Sequence, residues 1–159
     1  MTIDALQWLD QRLETALFQS ESTQYVFGID SYYDGPCAID YDPWLHAELL
    51  GVPVIARSEL PKSDMVACYS KRQRAIFTLA GISTAVERCA VTHEIVHHEH
   101  GDSGTSRHQE HRADRIAAKR LIRPSRLAEF RGLTDDPGRI AFELDLTEHI
   151  VNTYAKHHA

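Results

Sequence analysis

A chain of 159 residues has the size of one domain, large enough for a hydrophobic core and too small for a catalytic domain plus an independent recognition domain. A formal net charge of -6 argues against generic nucleic-acid binding, no apolar run reaches the length of a membrane span, and the N-terminus lacks the basic start and apolar core of a signal peptide. Cys37, Cys68 and Cys89 have neither the C-x-x-C spacing of a zinc ribbon nor the density of a disulfide framework, so reduced thiols in the cytosol are expected.

Ile3, Leu6, Leu9, Leu13 and Leu17 recur at helical spacing and predict an amphipathic helix within residues 1–20. Residues 20–41, rich in Ser, Tyr, Asp and Gly, read as an irregular connection with a short strand at Tyr25 to Ile29 and a turn at Asp34-Gly35-Pro36. A short helix follows, with Asp42 as N-cap, Pro43 at its first position and Gly51 as its stop. Strands are expected at Val52 to Arg57, Met65 to Ser70 and Arg74 to Leu79, the last two joined as a hairpin through Lys71-Arg72-Gln73. Together they predict a small, mainly antiparallel three-stranded sheet along one wall of a site.

Thr84-Ala85-Val86-Glu87 reads as a capping box that opens a helix near residue 85, and Gly101 closes that helix after His100. Ser106-Arg107-His108-Gln109 is a second capping box, and the helix it starts runs on Ala113, Ile116, Ala117, Ala118, Leu121 and Ile122 until Pro124 limits it. Short helices are expected at 125–131, Pro137 to Leu144 and Glu148 to His157. The last two mimic a helix-turn-helix in pattern, but the second has only Lys156 as a fixed cation, which favours a packing hairpin over a DNA reader. Charge is uneven: residues 1–64 hold eleven acids and three bases, whereas 107–139 hold nine bases and five acids, read as a solvated helix face.

The chemistry concentrates in Thr92-His93-Glu94-Ile95-Val96-His97. Histidines four apart stack on one helix face, so His93 and His97 can reach one ion, and Glu94 then sits beside the vacant coordination position as a general base. A catalytic zinc needs a third protein ligand. Glu110 is the candidate, because Glu110 and Asp114 are again four apart and share a face of the next helix, one as ligand and one as hydrogen-bond partner to a ligand imidazole. H-E-x-x-H followed by E-x-x-x-D is the arrangement of gluzincin-type peptidases. The longer motif H-E-x-x-H-x-x-G-x-x-H is excluded, since His100 and Ser103 stand where it needs Gly and His. A ligand nineteen residues after His97 would fall on Ile116, which cannot ligate.

Cys89 lies one turn before His93 on the same face and reads as a small buried residue under the site. Of the remaining histidines near the helix junction, His98, His100 and His108 read as polar residues, and His111, beside Glu110, is the candidate donor to the oxyanion of a tetrahedral intermediate.

With both motifs placed, residues 43–124 resemble the ImmA/IrrE family of small zinc metallo-endopeptidases of bacteria, prophages and phages. The likeness is carried by Ala47-Glu48-Leu49-Leu50-Gly51-Val52, Ile76-Phe77-Thr78-Leu79, Thr92 to His97, and Glu110-x-x-Ala113-Asp114-x-x-Ala117-Ala118 running to Leu121-Ile122-x-Pro124. Arg139-Ile140-Ala141-x-Glu143-Leu144 up to Val151 also looks like the family's C-terminal helices. Val96 departs from a usual Gly, Ile116 from a usual aromatic, and one extra residue precedes Leu121; the metal ligands and the base are intact.

The expected fold is therefore α+β: a zincin-like single domain over 1–159, comprising an N-terminal helix in 1–20, a catalytic core in 42–124 and C-terminal helices in 125–159. The resemblance implies a zinc-dependent endopeptidase that makes limited cuts in a cytosolic helix-turn-helix repressor, releasing phage, mobile-element or stress genes. The alternative is a metal-bound anti-repressor that acts by binding alone. Retention of Glu94 favours the enzyme, because binding alone needs no carboxylate at the vacant position.

Overall fold

The computed structural model describes residues 40–102 and 106–158. The helix expected in 1–20, the strand and turn expected between Tyr25 and Pro36, and Cys37 all lie outside the described residues.

Helix α1 (Pro43–Leu49) forms where expected: the Asp42 carboxylate accepts from the amides of Trp44 and Leu45, Pro43 opens the first turn, and Gly51 takes φ +65° beyond the last one. Three strands follow, β1 (Val54–Arg57), β2 (Ala67–Ser70) and β3 (Ala75–Leu79). The hairpin is present, with β2 antiparallel to β3 and Cys68 opposite Phe77. The sheet order is β1-β3-β2, and β1 runs parallel to β3 with Val54 opposite Ile76. The sheet is thus mixed rather than mainly antiparallel. A hairpin constrains only its own two strands; β3 takes the centre because Ala75, Ile76, Phe77 and Thr78 are all buried, the profile of a strand covered on both faces.

Helix α2 (Thr84–Glu99) starts on its expected cap, one residue earlier than expected. Ser83 is the N-cap, accepting from the Val86 amide, while the Glu87 carboxylate accepts the Thr78 hydroxyl at 3.0 Å and ties the helix to β3. The helix lies between two cores. Val91 and Ile95, both fully buried, face Ala47, Val52 and Ile76 of the α1 and sheet side. Cys89 belongs to the other cluster, with Ala117, Ala118, Leu121 and the C-terminal helices. Burial on two sides is met by Cys89, Val91, Ile95 and Val96, and each large aliphatic buried there contributes on the order of 1.5–3 kcal/mol.

Helix α3 (Arg107–Leu121) opens with the expected capping box, Ser106 and Gln109 each accepting from the other's backbone amide. Three of its buried positions, Ala113, Ala117 and Ala118, are small, which lets α2 and α3 approach closely. That approach brings Glu110 to the histidines.

Three short helices complete the described chain: α4 (Pro124–Ala128), α5 (Pro137–Glu143, N-capped by Asp136) and α6 (Glu148–His158). Ile140, Ala141, Ile150, Val151 and Tyr154 enter the α3 core, as a packing hairpin requires. The basic stretch is not wholly a solvated face. Arg120 is buried and pairs through two hydrogen bonds with Glu99 of α2, and Arg112 pairs with Asp102. No helix among the described residues is long and apolar enough to cross a membrane.

Candidate metal centre

Ligand atoms of His93, His97 and Glu110 lie within 4.8 Å of one another, the arrangement expected from the two motifs. His93 Nε2 is 3.0 Å from His97 Nε2 and 3.2 Å from Glu110 Oε2, and His97 Nε2 is 3.5 Å from Glu110 Oε1. A tetrahedral ion bound at about 2.0–2.1 Å holds its ligand atoms about 3.3 Å apart, so these separations fit a single first-row cation.

The opposite nitrogen of each ring determines what these atoms can do. His93 Nδ1 is 3.0 Å from Asp114 Oδ1, and His97 Nδ1 is 2.8 Å from Asp102 Oδ2. Burial alone would raise both aspartate pKa values, but His93 outweighs it at Asp114, and Arg112 and His97 outweigh it at Asp102, so both carboxyls fall below their ordinary value. Ionised carboxylates only accept, so each imidazole donates from Nδ1 and turns the lone pair of Nε2 toward the other ring and Glu110. Three acceptors facing one point call for a positive charge. The same demand acts on His93, where burial pushes the pKa down but Asp114, Glu94 and Glu110 together reverse the shift and raise it.

Asp114 has the expected position, and Asp102 is its counterpart for His97. The reading of helix faces missed Asp102, although the signal was there: Gly101 ends α2 at φ +63°, with the Gly101 amide bonded to the His98 carbonyl and the Asp102 amide to the His97 carbonyl. This Schellman turn folds Asp102 back against His97. Arg112 and Gln109 of α3 then hold the Asp102 carboxylate from the far side.

Glu94 lines the same cleft, and its Oε2 accepts the Tyr69 amide of β2 at 2.7 Å. Burial raises its pKa against the downward pull of His93, His97 and that amide. Strand β2 is an edge of the sheet, and the Tyr69 N–H is used on Glu94 instead of on the ladder to β3. A backbone donor of this kind leaves no trace in the sequence.

The cleft, about 510 Å³, has an apolar side formed by Met65, Val66, Val86, Ala90 and Ile150. Cys89 is buried beneath it, its sulfur accepting the Thr147 amide, and Cys68 lines it with a thiol pKa raised by burial and by Glu94. His111 is exposed and not among the lining residues, since one helical step from Glu110 turns the side chain about 100° away. His98 bonds the Tyr69 hydroxyl, His100 bonds the Val96 carbonyl, and His108 is exposed. His149 of α6, which the motifs did not single out, enters the cleft instead, 3.3 Å from Asp114 Oδ2.

No family model, curated protein or solved structure matches this chain.

Proposed function

We propose that this protein is a zinc-dependent endopeptidase of the ImmA/IrrE kind, making limited cuts in a cytosolic DNA-binding repressor. The observation that carries the reading is the convergence of two carboxylate-oriented imidazoles and Glu110, with a further carboxylate, Glu94, free of ligand duty beside them. A purely structural metal site closes its coordination with four protein ligands and needs no such group.

His93, His97 and Glu110 would hold zinc, which when bound acidifies a water and polarises a peptide carbonyl. Glu94 takes the proton of the water that adds to the carbonyl carbon and delivers it to the leaving amine as the C–N bond breaks. The Tyr69 amide fixes the Glu94 carboxylate for this transfer. The edge of β2 beside the cleft suits an extended substrate that adds as a strand. The repressor as substrate class comes from the resemblance, and the cleft among the described residues suits one or a few cuts in an exposed segment.

Co-expression with neighbouring helix-turn-helix proteins tests this. Discrete fragments are expected with the wild type and none with Glu94→Gln, which keeps its zinc. Intact neighbours held in a tight, salt-resistant complex would favour the binding-only anti-repressor, and zinc well below one per chain after metal-replete expression would sink both.

A further inference from the structure

We infer that His98 and the Tyr69 hydroxyl are a positioning pair for Glu94, setting where the proton acceptor of this cleft stands; this rests on the hydrolytic reading above. Glu94 and His98 are one turn apart on the same face of α2, and Tyr69 meets both. Its amide donates to Glu94 Oε2 at 2.7 Å, and its hydroxyl is 2.8 Å from His98 Nδ1. The two rings also meet edge to face, with centroids 5.1 Å apart. An imidazole nitrogen offers either a lone pair or an N–H, and a hydroxyl can donate or accept, so this bond forms in every protonation state of His98.

The strand ladder shows why the side-chain bond matters. The Leu79 amide bonds the Val66 carbonyl, and Cys68 lies opposite Phe77 in the same register, so these two pairs carry the hydrogen bonds between β2 and β3. Tyr69, opposite Ile76, falls in the alternate kind of pair, which points its N–H off the sheet edge toward α2. The ladder thus fixes the direction of this donor but not its distance from the helix. Among the described residues, Tyr69 to His98 is the one side-chain hydrogen bond between β2 and α2, and it sets that distance one turn beyond Glu94. A carboxylate held through a single short bond moves with its donor, and a displacement of about 1 Å at a reacting group can cost about 10²-fold in rate.

The test uses the full-length zinc-loaded protein on a pool of synthetic decapeptides, with kinetics on the best-cleaved member. Tyr69→Phe, which keeps the ring and every backbone atom, should keep its zinc and its KM within about threefold while kcat falls about tenfold. His98→Ala should lose as much, and the double variant no more than either, because both changes remove one bond. His98→Gln, whose amide can bond the hydroxyl, should recover part of the loss. Lys71→Met is the control: it breaks the 2.9 Å contact of Lys71 Nζ with the Gly101 carbonyl, which also ties the hairpin to the end of α2, without touching Tyr69. Its kcat should stay within about twofold of wild type. A Tyr69→Phe kcat within about threefold of wild type, a loss that follows lost zinc, or an equal loss in Lys71→Met overturns the inference and leaves hydrolysis standing. If the zinc-loaded wild type cleaves no peptide of the pool, the hydrolytic reading itself fails and takes the positioning pair with it.

Discussion

Each imidazole of the proposed metal site is oriented by its own aspartate, and the two aspartates reach it by different routes: Asp114 from one turn along α3, Asp102 from the turn that ends α2. Losing a carboxylate partner of a metal-bound imidazole weakens metal binding by about ten- to a hundredfold. Asp114→Asn and Asp102→Asn should each do so without removing a ligand, as read by zinc titration; unchanged affinity in either would make that aspartate a purely structural acid. A second residue-scale expectation concerns His46, away from the cleft. It is fully buried, accepts or shares the Tyr41 hydroxyl at Nδ1, and has no hydrogen-bond partner at Nε2 among the described residues, although Glu99 Oε1 is 3.4 Å away. Burial, and then the charge of Arg120, lower its pKa to about 3, so it stays neutral and the approach to Glu99 is not an ion pair. The unfolded chain takes up a proton near pH 6.5 and the folded one does not until about pH 3, so this group costs stability as pH falls through that window. The cost grows by about 1.4 kcal/mol per pH unit. Denaturation of His46→Gln between pH 6 and pH 4 should be less acid-sensitive than wild type; parallel curves would remove His46 from the acid response.

At the scale of elements, the site depends on how α2 ends and α3 begins. Gly101 at φ +63° permits the turn that folds Asp102 onto His97, and a Cβ there would meet open space, with only the Lys71 amine 4.0 Å away. The penalty of Gly101→Ala is therefore conformational, about 1–2 kcal/mol for an L-residue in the left-handed region. Stability should fall by that amount and zinc affinity with it, since Asp102 is displaced; thermal melts and zinc titration read both. A variant with unchanged affinity would mean that Arg112 and Gln109 alone suffice to hold Asp102. On the α3 side the alanine face and the Ser106–Gln109 box place Glu110 in the first turn, where the helix dipole favours a carboxylate.

For the whole molecule, the ion would join α2 to α3 and thereby join the two cores that α2 separates. Removing it should destabilise the fold as well as silence the chemistry. With free zinc at a hundred times its Kd, binding contributes about 2.7 kcal/mol. The melting temperature should drop on chelation and recover with zinc, and a chelator-insensitive melt would argue that no ion links the helices.

The sequence by itself determined the parts of this protein that are written in local spacing: the caps Asp42 and Ser106, the β2–β3 hairpin, the α2 face carrying His93 and His97, and the α3 face carrying Glu110 and Asp114. Such features need only one helical turn or one tight connection, so periodicity reveals them. Tertiary structure alone decided that β3 lies between β1 and β2, that the Tyr69 amide holds Glu94, and that His149 rather than His111 enters the cleft. The reason is the same in each case. These contacts join elements distant in sequence, and the choice among competing partners is made by which surfaces are buried together, a comparison no local pattern contains.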